Sequence, residues 1–365
     1  MSERFAEVDV RRLVPRLLVG VAITFALLYV LVIAEPAPDI GGSWRTTTFG
    51  SAFDDWRNFT ITLLNALTFA GWLFIVASGF SLIFGLMRVV NMAHGSFYLL
   101  GGYIAYEIQQ RMTGSGYTIP GTEVTTWEWV IPAFLAALAI GALGLVIQQV
   151  FLRWNQGQEL RQALITIAIS VIIADQIVAH FNDGIASTVT WPGWTNRLVE
   201  LPLIDLRYSL ARIMVLCLGL SVGLALWVWL YRTRTGMVIR AGVDDRQMTS
   251  ALGLNIQFTF AIAFVVGSSL AAFGGVVGAS QSAVASGQDG QWLLNSLVVV
   301  IIGGMGSLIG AAAGSLLYAI VFSFASVYLP TTGGNCCTQY SIVVTFILLA
   351  LVLAFRPQGL FGRLA

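Results

Sequence analysis

Asn91 and His94 are the first side chains in this sequence placed to do chemistry. With Arg88 they punctuate residues 85–106, GLMRVVNMAHGSFYLLGGYIAY, between two apolar runs, while Gly85, Gly95, Gly101 and Gly102 thin the backbone. The pattern predicts a break or tight hairpin at membrane depth. Lipid offers nothing to a free amide group, so such a break survives only where it is buried in protein or lines a wet cavity. There, Asn and His hydrogen bonds and backbone dipoles could meet the charged ends of a small solute crossing between helices. The same residues also suit an ordinary turn between two spans, and depth in the bundle discriminates. A second break is expected at 303–307, GGMGS, inside an apolar run, 292–329, that is too long for one span and slightly short for two. Gly303, Gly304 and Gly306 there either free the backbone groups of a half-helix or permit a close-packed hairpin. Asp175 lies in the apolar run 163–180. An acid in a span normally faces the bundle interior or a wet path, unless it sits near the outer end and hydrates. Asn65 and Ser78, polar groups in the run 59–84, stand behind these as further candidates.

The longest polar stretch is 231–255, YRTRTGMVIRAGVDDRQMTSALGLN, and it cannot be a span. Its charged residues would each cost about 2.5–3.5 kcal/mol at a helix centre. Asp244 followed by Gln247 reads as an N-cap with its capping-box partner, and Gly253 suits the position just past a helix end, predicting a short helix over 245–252. Met248, Ala251 and Leu252 recur at i, i+3 and i+4, giving it an apolar face with no soluble domain in the chain to pack on. That face suits a partner's groove, or else the chain's own bundle or the headgroups.

Of the 365 residues 57% are hydrophobic and 10% are charged, and mean hydropathy is +0.82, which places the chain in the membrane class and excludes soluble enzymes. Net charge is +1, every cation is Arg, and no basic surface tracks phosphates, so nucleic acid is excluded as a partner. Cys217 reads as a small apolar residue. Adjacent Cys336 and Cys337 lie in a polar loop as thiols or as a strained ring disulfide, and no metal-ligand spacing occurs. No cofactor is implied.

The fold expected is all-α, a polytopic membrane helix bundle of about ten membrane segments with glycine-rich broken helices. Residues 1–58 hold a basic cytoplasmic segment, a first span (17–34) that is too long for a signal-peptide core, and an external loop; 59–365 form the remaining transmembrane domain. This assignment places 13 Arg inside and 6 outside, as the positive-inside rule requires, with both termini cytoplasmic. The run 258–280 is dense in Gly, Ala and Ser and should pack backbone to backbone, and Gly141 and Gly144 allow similar close approach.

Four stretches, MRVVNMAHGSFYLLGGYIA (87–105), RTRTGMVIRAGVDDRQMTSALGLN (232–255), VVVIIGGMGSLIGAAAG (298–314) and RPQGLFG (356–362), together resemble the signatures of branched-chain amino acid ABC transporter permeases, in the family's order and over most of 59–362. The match is nearer to the first of the two paired permeases of those systems. The resemblance implies a permease subunit of the cytoplasmic (inner) membrane, not itself an enzyme. It pairs with a second homologous permease, two cytoplasmic ATPase subunits and an extracytoplasmic solute-binding protein. The segment 245–252 within the coupling loop 231–255 then matches the helix that sits in an ATPase cleft, although the Glu-Ala-Ala signature of many importers is not present as such. On that reading Arg240, Asp244, Asp245, Arg246, Met248 and Leu252 make the ATPase contact. Asn91, His94, Gly95, Gly303, Gly304 and Gly306 line the path, with Asn65, Ser78 and Asp175 behind them. With no Lys, the chain has no phosphate-binding Gly-x-x-x-x-Gly-Lys-Ser/Thr loop, so ATP must be hydrolysed elsewhere. Two alternatives stay open: the same fold importing urea or short amides, and a stand-alone channel or ion-coupled carrier, which would want more buried charges than Asp175 supplies.

Overall fold

The computed structural model describes residues 56–87, 90–114, 123–155, 157–181, 187–201, 206–328 and 338–362. The expected N-terminal segment and first span, most of the first external loop, Arg88, and Cys336 with Cys337 lie outside these residues. The described chain forms α1 (Trp56–Met87), α2 (His94–Thr113), α3 (Trp127–Ile147), α4 (Glu159–His180), α5 (Leu210–Arg232), α6 (Arg234–Asp244), α7 (Arg246–Ala251), α8 (Ile256–Gln281), α9 (Asp289–Gly303), α10 (Leu308–Tyr328) and α11 (Thr338–Phe355). A hairpin of β1 (Leu198–Leu201) and β2 (Leu206–Ser209) departs from the all-helical expectation. Opposed Glu200 and Arg207 tie it across the strands at 3.0 Å.

Six described helices, α1, α3 with its extension, α4, α5, α8 and α10, are long and apolar enough to cross a membrane. The chain is therefore a multi-pass membrane protein. The expected ten segments are not reached among the described residues: α9 and the apolar part of α11 are shorter, and α2 is 20 residues long but less apolar.

Two compact units emerge. One contains 56–66, 320–328 and α11 among described residues; within it Phe59 meets Phe324 edge-on with ring centroids 5.2 Å apart. The other, 67–319 with 358–362, holds the remaining elements. In this second unit α8 packs along α2 and α3. Its small residues make that possible, since Gly79 and Gly267, and Gly101 and Ala272, approach backbone to backbone, and Gly141 and Gly144 meet Ser269 and Ser268. Without a hydrophobic drive between helices in lipid, such close contact supplies the cohesion.

α6 was not anticipated. The polar composition of 231–244 predicts no helix before 245, but Thr233 caps one there, its Oγ1 accepting from Gly236 N at 3.1 Å. Ile239 and Val243, one turn apart, pack with Leu82 and Leu86 of α1, Leu230 of α5 and Phe260 of α8. Burying an Ile of this kind is worth about 1.5–3 kcal/mol, enough to seat a polar helix across the bundle end. The next cap is also displaced by one residue. Asp244 closes α6, and Asp245, with extended backbone (φ −147°, ψ 105°), is the N-cap of α7, its Oδ1 accepting from Met248 N at 2.9 Å. Asp244 is the last helical residue of α6, so the turn breaks one residue later, at Asp245, whose N still donates to Ala241 O. Gly253, at φ +79°, follows the end of α7 as expected.

Candidate functional site

The stretch around Asn91 folds back into the bundle. His94 is fully buried, and its Nε2 lies 3.1 Å from the carbonyl of Val76. Val76 sits about three turns, roughly 16 Å, before α1 ends at Met87. α2 therefore starts deep between helices rather than at a surface turn. The break is held from within: Asn91 Oδ1 accepts from Ala93 N (3.1 Å), Asn91 O accepts from His94 N (3.2 Å), and Thr166 Oγ1 on α4 accepts from Met92 N (3.2 Å). Gly95 is obligatory, because a β-carbon there would collide with the carbonyl oxygen of Asp289 at the start of α9.

These bonds draw a polar seam between α2 and α4. Gln162, Thr166 and Ser170 recur at i, i+4 and i+8 on α4, the spacing that puts them on one face. Ser170 Oγ is 2.7 Å from Ser96 Oγ, and Ser96 Oγ is 3.4 Å from Asp289 Oδ2. Above them Trp292 stacks on Tyr98, with centroids 4.4 Å apart, and lies 4.6 Å from Trp72. At the lower end Asn91, Gln162 and Thr166 border a narrow cleft whose other walls are Ile83, Met87, Val90, Leu152 and Phe264. Leu152 ends a π turn, Gln148–Leu152, that finishes α3, and such insertions recur at functional sites.

The residues singled out from sequence fare differently. Asn91, His94 and Gly95 come together on this seam. Ser78 is buried, but its hydroxyl donates to Ile75 O of its own helix. Asp175 is exposed on the outer face of α4 among Val171, Ile172 and Val178, so it does not face the bundle interior. Asn65 belongs to the other unit and is half-buried there. Gly303 ends α9 and packs against Gly310 of α10, and Gly314 meets the Val299 carbonyl, so these glycines stand at a close helix crossing. Gly304 takes φ +104°, open to glycine alone, and lets the C-terminal signature dock: Leu360 N and Phe361 N donate to Ile302 O and Gly303 O at 2.8 and 2.9 Å. Gly306 abuts Gly85 of α1.

On the polar stretch, Met248 and Leu252 are 60% and 72% exposed, with Leu254 and Phe258 exposed beside them. Arg240 turns back instead, its guanidinium 4.4 Å over the Tyr231 ring. Asp244 and Arg246 occupy the end of α6 and the start of α7. Sequence reasoning missed Ser96, Ser170, Thr166, Gln162 and Asp289. The first four are ordinary polar residues in helices. Asp289 precedes the apolar run, which begins only at Trp292, so hydropathy does not place it in a helix.

The model of a family described as branched-chain amino acid transport system, permease component, matches residues 62–353. The chain is 28% identical over 306 residues to the high-affinity branched-chain amino acid transport system permease protein BraD of Pseudomonas aeruginosa, covering 82% of this chain and 95% of that one. It is 28% identical over 310 residues to the corresponding permease protein LivH of Escherichia coli K12, covering 84% and 96%. A solved structure, PsaBC from Streptococcus pneumoniae in complex with Fab, is similar at a TM-score of 0.45 and 10% identity, covering 86% of this chain and 97% of that one; likeness at that level carries no argument. A deep, internally bonded break between membrane helices and a family match over most of the chain lead to one conclusion: this protein belongs to the branched-chain amino acid transport system permease components.

Proposed function

We propose that the chain is the permease subunit of an ATP-driven importer that carries branched-chain amino acids across the cytoplasmic membrane. It works with a second homologous permease, two cytoplasmic ATPase subunits and an extracytoplasmic solute-binding protein. The solute path runs along the α2–α4 seam within the domain 59–365. The observation that carries this reading is the start of α2 about three turns inside the bundle, with hydrogen-bonding side chains along the seam and the Asp289 carboxylate beside Ser96. An aliphatic side chain crosses between packed helices at little cost, while its polar ends need groups such as these.

The end of the bundle bearing α6 and α7 faces the cytosol, in line with the excess of Arg on that side. There the exposed apolar side chains of Met248 and Leu252 offer themselves to an ATPase groove, with Asp245 capping the helix, and Arg240, Asp244 and Arg246 complete the proposed contact. The absence of Lys from the sequence leaves the chain without a nucleotide-phosphate loop, which supports a separate engine. The test is uptake of labelled leucine by vesicles reconstituted with the chain and its partners. Uptake that requires ATP and the ATPase subunits, and that unlabelled leucine but not urea competes away, is expected. Solute movement by the chain alone without ATP would sink the proposal.

A further inference from the structure

The cleft at the foot of the seam contains an imbalance that the break itself does not explain. Asn91 and Gln162 are 4% and 3% exposed, and both border it. Each has its amide orientation fixed by one bond: Asn91 Oδ1 accepts from Ala93 N, and Gln162 Nε2 donates to Asn155 O at 2.7 Å. The remaining atoms, Asn91 Nδ2 and Gln162 Oε1, are buried without a hydrogen-bond partner. Gln148, fully buried at the start of the π turn that ends in Leu152, leaves both of its amide atoms unpartnered as well. Buried amide groups are ordinarily satisfied, so a free donor and a free acceptor bordering one cleft point to a ligand with the opposite pair. Among the described residues no charged side chain borders the cleft, and Ile83, Met87, Val90, Leu152 and Phe264 make the rest of its described wall apolar.

We propose that this cleft, closed in the present structure, is a subsite for a small aliphatic solute whose head group is net neutral and presents an acceptor and a donor side by side. Asn91 Nδ2 donates to the acceptor, Gln162 Oε1 accepts from the donor, and the apolar wall takes the aliphatic part. A zwitterionic α-amino acid head and a carboxamide both satisfy this pairing. A lone carboxylate or a lone ammonium leaves one buried amide atom unmet and brings in a charge that no described lining residue compensates. The subsite rests on the seam being the solute path, but its selectivity is set by neutrality and not by the identity of the solute.

The test uses membrane vesicles with the full chain, its three cysteines replaced by serine and Val90→Cys placed in the cleft wall. The rate of N-ethylmaleimide labelling is read with L-leucine, isovaleramide, isovalerate or isoamylamine present. The two neutral-head compounds are expected to protect, and the two singly charged ones to need about tenfold higher concentration. Asn91→Asp keeps the Oδ1 bond to Ala93 N but turns the free donor into an acceptor; Gln162→Met leaves the break intact and removes the free acceptor. Both should abolish protection. Equal protection by a singly charged analogue, no protection by any of the four, or full protection retained in both variants would overturn the subsite. Protection by isovaleramide without leucine would uphold it while removing the amino-acid reading of the transporter.

Discussion

At the α1–α2 break the amides of Met92, Ala93 and His94 find their partners inside the protein, on Thr166 and Asn91. At α7 the first turn is capped by the exposed Asp245, and the apolar side chains of Met248 and Leu252 are exposed. Both stretches interrupt apolar sequence with polar residues, yet one is folded inward and sealed and the other is left open. The difference lies in what surrounds them. A break among membrane helices has only protein to satisfy its backbone, so neighbouring helices must be shaped to it. A polar helix at the bundle end has water for its backbone and is free to spend its apolar face on another polypeptide.

The comparison can be broken most severely at Gly95. A valine there drives its β-carbon into the Asp289 carbonyl, a backbone atom that cannot swing aside. Overpacking of that kind costs about 1–3 kcal/mol or more, so the yield of monodisperse chain and leucine uptake should fall together. Normal yield and uptake would mean that the break is looser than the geometry requires. At α7 the same severity of change should leave folding untouched. Met248→Asp with Leu252→Asp alters only exposed side chains, so the chain should insert at wild-type level while co-purification of the ATPase subunits is lost. Loss of insertion, or co-purification unchanged, would erase the contrast between the two regions. The smallest effect belongs to Asp245→Ala, which removes the α7 cap at about 1 kcal/mol. Faster amide exchange confined to residues 246–251, with a few-fold loss of uptake, is expected, and unchanged exchange there would show that the cap does not hold the helix.

The sequence located both regions but not their internal geometry. Asn91, His94 and Gly95 were legible because polar residues and glycine in an apolar run have few explanations. Their partners on α4 were not, because Gln162, Thr166 and Ser170 become a stripe only when that face of α4 meets α2. For Asp175 the converse holds: an acid in an apolar run announces itself, but the face it occupies is set by packing, and it lies exposed on α4. Asp289 was passed over because hydropathy marks where a run turns apolar, whereas α9 starts three residues earlier, against Gly95. α6 was missed because its polar composition hid Ile239 and Val243, whose burial depends on Leu86, Leu230 and Phe260 arriving from three other helices.

By itself, the sequence determined that this is a membrane protein, that two polar stretches interrupt its spans, and that it carries the signatures of its family, since composition and local pattern are properties of the chain alone. Only the tertiary structure decided that α2 begins deep inside the bundle, that Asp245 rather than Asp244 caps α7, and that Asn91 and Gln162 share one cleft with an unmet donor and acceptor. Those facts depend on which helices come to lie against each other. Close packing of small residues in lipid fixes that, and no single segment encodes it.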